Sequence, residues 1–408
     1  MVFKEDVLAA YQGQQGLLEK QDSFVERAYL SQLEAKSKHI EVITGVRRCG
    51  KSTLMRQIAR RFYDKVAYFN FEDSRVFGFE VGDFSKLDEV IGKDVDAYFF
   101  DEIQNVTGWE VFVRQLHEQG AKVFVTGSNA SLLSRELGTR LTGRYLSHEI
   151  FPFSYEEYLS YFSKENTDEN FKNYLYNGGF PEFLRDQNPE ILQMLLKDIL
   201  LRDISVRFGI KNTQVLMEVA LFLVSNVGKE VSYNGIKNTF QIGSPSTVSD
   251  YLSWMEDAYL FFFLPRFSWS AKSVARNPKK VYCIDTGFAK SNSLSFSKDE
   301  GRLLENLIYL TLRRKYTKLF YFKDRLECNF VVFEGNECKW IVQVCATFHA
   351  DNRDREVNGL LEAMEALKVN VGYIVTLNQS DDLRVGEKTI KIMESRTFMA
   401  LIGEKPGL

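Results

Sequence analysis

The stretch GVRRCGKS, residues 45–52, decides how the rest of the chain is read. It fits the pattern Gly, four residues, Gly-Lys-Ser, between an apolar run at 40–44 and a helical run from residue 52. Gly45 and Gly50 let the backbone wrap so that its N–H groups turn inward, at the positive end of the following helix. Such a loop binds the phosphates of a nucleotide. Lys51 is placed to reach the β- and γ-phosphates, and the Ser52 hydroxyl is placed to ligate Mg²⁺. The expected binding set is Gly45, Val46, Arg47, Arg48, Cys49, Gly50, Lys51, Ser52 and Thr53; Arg48 and Cys49 line the loop without an evident chemical role.

Outward from the loop, short apolar runs at 66–71, 96–100, 123–126 and 146–150 alternate with helical stretches at 52–63 and 109–119. Continuous apolar runs of this length are the buried strands of a parallel sheet, with the helices as crossovers. Residues 1–155 therefore read as an α/β nucleotide-binding core with a helical lead-in over 3–36. The run DAYFFDE, residues 96–102, is a buried strand ending in two carboxylates. Asp101 is expected to hold Mg²⁺ through water and Glu102 to polarise the attacking water, since phosphoryl transfer needs positioning and charge neutralisation.

Beyond residue 155 the chain is helical to about 208, broken by the turn NGGFP at 177–181, where Gly178, Gly179 and Pro181 set the backbone. Three helical runs follow (214–227, 232–240, 244–257), the third opened by Ser244-Pro245. Strands at 259–264 and 280–284 flank a loop, which completes the outline of a winged helix-turn-helix over 211–288. The start of its third helix carries no Arg, Lys, Asn or Gln to read base edges. The wing instead holds Arg266, Lys272, Arg276, Lys279 and Lys280 with Trp269 and no acid, a pattern for tracking DNA phosphates without sequence preference. A link at 290–298 leads to a smaller α/β region: a helix at 302–315, strands at 319–323, 328–334 and 340–345, a helix at 356–367, and a closing strand at 372–376.

The whole chain of 408 residues, with Lys+Arg 52 against Asp+Glu 55, has a net charge of −3, so no global field draws it to nucleic acid or anionic membrane. Its 33 Phe and 19 Tyr make it rich in aromatics. Five cysteines form no CxxC pair and four histidines are scattered, which argues against a disulfide framework or a zinc site. No apolar run approaches the roughly 20 residues that span a bilayer, and the first residues do not read as a signal peptide. The expected location is the cytoplasm.

VFVTGSNASLL (123–133), GTRLTGRYLSHEIFPFSYEEY (138–158) and GGFPE (178–182) resemble prokaryotic AAA+ type P-loop ATPases that carry a C-terminal domain of unknown function with a nuclease-like fold. The resemblance implies ATP and Mg²⁺ as cofactors. It implies a γ-phosphate-sensing group among Thr126, Ser128 and Asn129 at the end of the fourth strand, and it implies that Arg140 or Arg144 is presented to a neighbouring subunit's nucleotide. A homo-oligomer would follow. Glu72 and Asp73 match acids common in the family, and Arg202 matches a lid arginine over a helical lid at 156–210. For the last region, 289–408, the resemblance is to PD-(D/E)xK nucleases. Glu305 matches their helix acid, but Asn329, Gln343 and Cys345 stand where an aspartate, an acid and a lysine belong. One carboxylate with two amides lacks the charge to bind Mg²⁺, so nuclease activity is not expected. The implied function is ATP hydrolysis that rearranges the C-terminal domains on DNA or a protein partner. The alternative is a slow nucleotide-gated switch.

Overall fold

The computed structural model describes residues 1–19, 25–33, 37–127, 141, 143–294 and 299–403. It divides into two compact units: Met1–Lys164 with Asp257–Tyr259, and Glu165–Glu256 with Leu260–Leu408.

The first unit is built on five parallel strands: β1 (Ile40–Thr44), β2 (Val66–Asn70), β3 (Ala97–Asp101), β4 (Lys122–Gly127) and β5 (Tyr145–Glu149), in the order β2-β3-β4-β1-β5. All five residues of β1 and of β3 are buried, as the continuous apolar runs require. Because β4 lies between β1 and β3, its last residues separate the loop after β1 from the acids after β3. A crevice at the carboxyl ends of parallel strands is where such sheets bind ligands. Much of the aromatic content is spent here. Phe69, Phe71, Phe79, Phe84, Phe100 and Phe112 share one buried core, with Phe84 and Phe112 stacked at 4.4 Å, while Phe99 and Phe124 stack at 4.6 Å across β3 and β4. Each such pair adds about 0.5–1.5 kcal/mol beyond its buried area.

The lead-in is a helix, Lys4–Glu19, and a short 3₁₀ turn, Ala28–Gln32. Gln14 on the helix clamps the end of β2: its Oε1 accepts from the Asn70 N–H at 2.7 Å, and its Nε2 donates to the Asn70 carbonyl at 3.2 Å.

In the second unit, helices Thr213–Ser225, Tyr233–Thr239 and Pro245–Asp257 precede a small antiparallel sheet of β6 (Glu230–Val231), β7 (Phe261–Pro265) and β8 (Lys279–Cys283), ordered β6-β8-β7. The segment between β7 and β8 holds a short helix, Ala271–Arg276, where sequence periodicity gave only a loop. The final region is a six-stranded mixed sheet of β9 (Lys318–Lys323), β10 (Glu327–Glu334), β11 (Glu337–Val344), β12 (Val371–Thr376), β13 (Asp381–Val385) and β14 (Lys388–Glu394). Its order is β13-β14-β12-β11-β10-β9. The expectation that the strand at 372–376 closes the chain is therefore corrected. A hairpin, β13–β14, and a helix, Ser395–Gly403, follow it. The charged, exposed β13 at the sheet edge lacks the apolar alternation that would have marked it.

The GGFPE turn has a definite cause. Asp285, fully buried, accepts from the Gly179 N–H at 2.7 Å and the Phe288 N–H at 2.8 Å, and a Cβ on Gly178 would meet its Oδ1 at 2.0 Å. Burial pushes the Asp285 carboxyl up to about 6.

Candidate nucleotide site

The loop after β1 has the backbone its sequence demands. Gly45 has φ 150°, and a Cβ there would meet the Ile150 carbonyl oxygen at 2.2 Å; Gly50, at φ 101°, caps the helix Lys51–Phe62. Ser52 and Thr53 stand half-buried in the first helical turn. Lys51 Nζ donates to the carbonyls of Gly45 at 3.1 Å and Val46 at 3.2 Å. It therefore lies within the curl of the loop, 3.9 Å from Glu102 Oε1. Arg47 pairs with Glu72 at 3.1 Å, and Arg48 takes a left-handed conformation at φ 63°. Cys49 is fully buried, its Sγ donating to the Ile150 carbonyl at 3.5 Å; burial pushes the thiol up, so it is packing rather than nucleophile.

The two acids at the end of β3, Asp101 and Glu102, have different surroundings. Asp101 is held by hydroxyls on both oxygens: Tyr68 Oη donates to Oδ2 at 2.6 Å and Thr126 Oγ1 donates to Oδ1. Thr126 Oγ1 also accepts from the Glu102 N–H at 3.0 Å, so this one hydroxyl fixes both acids. Glu102 sits at φ 53°, ψ 42°, a left-handed backbone uncommon outside glycine. Its Oε2 accepts from Gln104 Nε2 at 2.5 Å. Burial raises the Glu102 carboxyl above its ordinary value; Lys51 pulls it back and Asp101 adds to the rise. A carboxylate poised in this way is suited to take a proton.

Among the described residues no group of three His, Cys, Asp or Glu side chains could hold a metal ion. Mg²⁺ takes one or two protein groups beside substrate phosphates and keeps several waters. The Ser52 hydroxyl at the helix start and Asp101, already oriented by Tyr68 and Thr126, are such a pair. Gln104, which donates from Nε2 to Glu102, has its Oε1 buried without a hydrogen-bond partner.

Other expected residues lie elsewhere. Arg144 precedes β5, whose first residue pairs with the first residue of β1, so it stands at the sheet edge opposite the loop, where its Nη1 meets Glu118 Oε1 at 3.0 Å. One strand of five residues, roughly 16 Å, separates those edges. Ser128, Asn129 and Arg140 lie outside the described residues. Arg202 is exposed on a π-helical segment, Ile199–Val206, of the second unit.

Of the five basic residues expected to face DNA, Lys280 must be withdrawn. It is buried, and its Nζ meets Glu327 Oε1 at 2.6 Å and Glu305 Oε1 at 3.1 Å. Burial alone would lower its pKa, but the two carboxylates more than offset that and hold it raised. Tyr282 Oη also donates to Glu305 Oε1, at 2.7 Å. Glu305 is thus taken up by a lysine and a tyrosine, while Asn329 and Gln343 bond each other's strands: Asn329 N–H to Gln343 Oε1 at 2.9 Å and Val344 N–H to Asn329 Oδ1 at 2.8 Å. Cys345 is buried.

Sequence reading missed Tyr68, Gln104, Arg27 and Tyr259. The last, counted with the first unit despite its late position, donates from Oη to Thr44 Oγ1 at 2.8 Å just before the loop. None of the four belongs to a motif. The register that sets Tyr68 opposite Phe99, two residues before Asp101, exists only in the folded sheet.

Residues 37–159 match the family model described as an AAA domain, and residues 168–299 match a domain of unknown function, DUF8612. The chain is 35% identical over 368 residues to the uncharacterized protein MJ1544 of Methanocaldococcus jannaschii, covering 83% of this chain and 82% of that one. It is 31% identical over 352 residues to an uncharacterized protein of Haemophilus influenzae, covering 81% and 87%. Among solved structures, AMPPCP-bound DnaA from Aquifex aeolicus matches 61% of this chain and 88% of its own at 15% identity, with a TM-score of 0.29, too loose to carry an argument. The chain belongs to the family of these archaeal and bacterial proteins, whose member here carries an AAA domain with a loop lysine facing a half-buried glutamate.

Proposed function

We infer that this protein is a Mg²⁺-dependent ATP hydrolase. The observation that carries the reading is the placement of Lys51, Asp101 and Glu102 at one end of the sheet, with Thr126 hydrogen-bonded to both acids. The amides of 45–52 and the Lys51 ammonium bind the triphosphate, and Glu102 accepts the proton of the attacking water. Ser52 and Asp101 would hold Mg²⁺, which would supply positive charge against the phosphates. Thr126 is then a positioning group for the acids. Arg144, and Arg140 with it, serves a neighbouring copy's nucleotide, since Arg144 is a strand length from its own Lys51.

The test is steady-state Mg²⁺-ATP hydrolysis over a protein concentration series. Wild type should turn over, increasingly per subunit as copies associate. Lys51→Ala should lose ATP binding, and Arg144→Ala should abolish the concentration dependence. A wild type that binds ATP yet hydrolyses no faster than Glu102→Gln would favour a nucleotide-gated switch.

A second reading concerns the partner. We read the three helices followed by β7 and β8 in the second unit as a winged helix-turn-helix; Trp269 is 81% exposed, and Lys272 and Arg276 are exposed in the same segment. Arg266 and Lys279 are half-buried at its base. DNA phosphates fit this surface, and hydrolysis would rearrange the winged helix and the nuclease-like region, inactive as a nuclease, on that partner. With Lys280 withdrawn, DNA binding should weaken with salt with a slope no steeper than about four phosphate contacts allow. Binding that ignores salt would remove DNA from the account.

A further inference from the structure

The underside of the phosphate loop is fastened by a buried guanidinium that belongs to no motif. Arg27 lies just before the 3₁₀ turn Ala28–Gln32 and is 3% exposed. Its Nη1 donates to the Cys49 carbonyl at 2.6 Å, its Nη2 to the Phe151 carbonyl at 2.7 Å, and its Nε to Glu157 Oε1 at 2.8 Å. The guanidinium also lies over the Phe153 ring, 5.2 Å from its centre. Glu157 is equally committed. Its Oε1 accepts from the Ala28 N–H at 2.9 Å and its Oε2 from the Ser154 N–H at 2.8 Å, which caps the helix Tyr155–Phe162. Gln57, on the helix that the loop opens into, holds the same segment by accepting from the Arg27 N–H at 3.0 Å and donating to the Val25 carbonyl at 2.8 Å.

The consequence follows from peptide geometry. The Cys49 carbonyl and the Gly50 N–H belong to one planar trans peptide and point in opposite directions. With the carbonyl drawn down onto Arg27, the Gly50 N–H must point the other way. Gly50 cannot be replaced to the same effect, because a Cβ there would meet Arg27 Nη1 at 2.7 Å. Burying a guanidinium unpaired is costly, and Glu157 with two carbonyls satisfies it.

We propose that Arg27, neutralised by Glu157, is a positioning residue that sets the Gly50 peptide so that its N–H faces the bound phosphates. The proposal rests on the ATP-binding reading, and its test has one arm that does not. In nucleotide-free full-length protein, hydrogen exchange of the loop amides at 45–52 should speed up in Arg27→Met and in Glu157→Gln, with the strand amides of the sheet unchanged. In Mg²⁺-ATP hydrolysis, Arg27→Met should raise KM by roughly 10- to 100-fold, the worth of a hydrogen bond to a charged group, with kcat within about twofold. Arg27→Lys, which keeps the charge but cannot bridge three acceptors, should fall between. A role only in stability would lower the active fraction, so kcat would drop at constant KM, and that result overturns the proposal. Loop exchange unchanged in both Arg27→Met and Glu157→Gln overturns it as well. A wild type that binds no ATP would sink the ATPase reading instead, with the exchange arm still deciding whether Arg27 sets the loop.

Discussion

Two lysines in this chain each face carboxylates in buried surroundings, and they do opposite things. Lys280 is locked between Glu327 and Glu305 at 2.6 and 3.1 Å, and Tyr282 shares Glu305. Lys51 is 3.9 Å from Glu102 and donates to the loop carbonyls of Gly45 and Val46. At Lys280 the carboxylates raise the ammonium's pKa against burial, so the cluster is a strut. At Lys51 the neighbouring acid is itself raised by burial and held in a left-handed backbone, a costly arrangement that fold stability does not reward. Short, mutually satisfied contacts mark the Lys280 cluster as structure; on the proposed reading, Lys51 and the strained Glu102 are kept for a ligand's charge.

The largest effect separating the two should be catalytic. Glu102→Gln should lower kcat for ATP by roughly 10²- to 10³-fold while leaving ATP binding intact. Glu305→Gln should leave hydrolysis within about twofold. A comparable loss from Glu305→Gln would break the comparison.

Next in size is stability. Lys280→Met leaves two carboxylates facing each other without their cation and should cost about 2–3 kcal/mol, the low end for a broken buried pair because Glu327 is partly solvated. That should lower the second unit's melting transition by roughly 5–10 °C. Lys51→Met should leave the first unit's melting nearly unchanged. Equal losses in both would show that Lys51 too is a strut.

The smallest effect is on pH. Because burial raises the Glu102 carboxyl, its base form is lost on acidification earlier than for an ordinary glutamate. Hydrolysis should therefore fall along an acid limb with a midpoint above roughly 4.3, which a pH profile of kcat reads directly. A limb at the ordinary value would mean that the carboxyl is solvated during turnover.

The same contrast explains how much could be read before the fold was known. The parallel core was legible because β2, β3 and β4 are largely apolar runs ending at a turn, and Gly45, Lys51, Ser52, Asp101 and Glu102 fall at fixed offsets from strand ends; β5, Tyr-Leu-Ser-His-Glu, carries the weakest such signal. Thr126 was one of three choices; only the strand order, with β4 between β1 and β3, brings its hydroxyl to both acids. Arg27 and Glu157 are 130 residues apart in sequence, and no local pattern links them. Lys280 misled because the basic residues spread over 266–280 give no sign of which one turns inward; β8 buries its side chain beside Glu305. The hairpin β13–β14 escaped because an exposed, charged edge strand lacks an apolar face.

The central claim is that Glu102, and no acid of the second unit, drives cleavage of bound ATP. It is tested most directly by single-turnover release of phosphate from Mg²⁺-ATP prebound to excess protein, comparing wild type with Glu102→Gln. The account predicts complete release from wild type and retention of intact ATP on the variant over the same time. Equal release rates from the two proteins would contradict it.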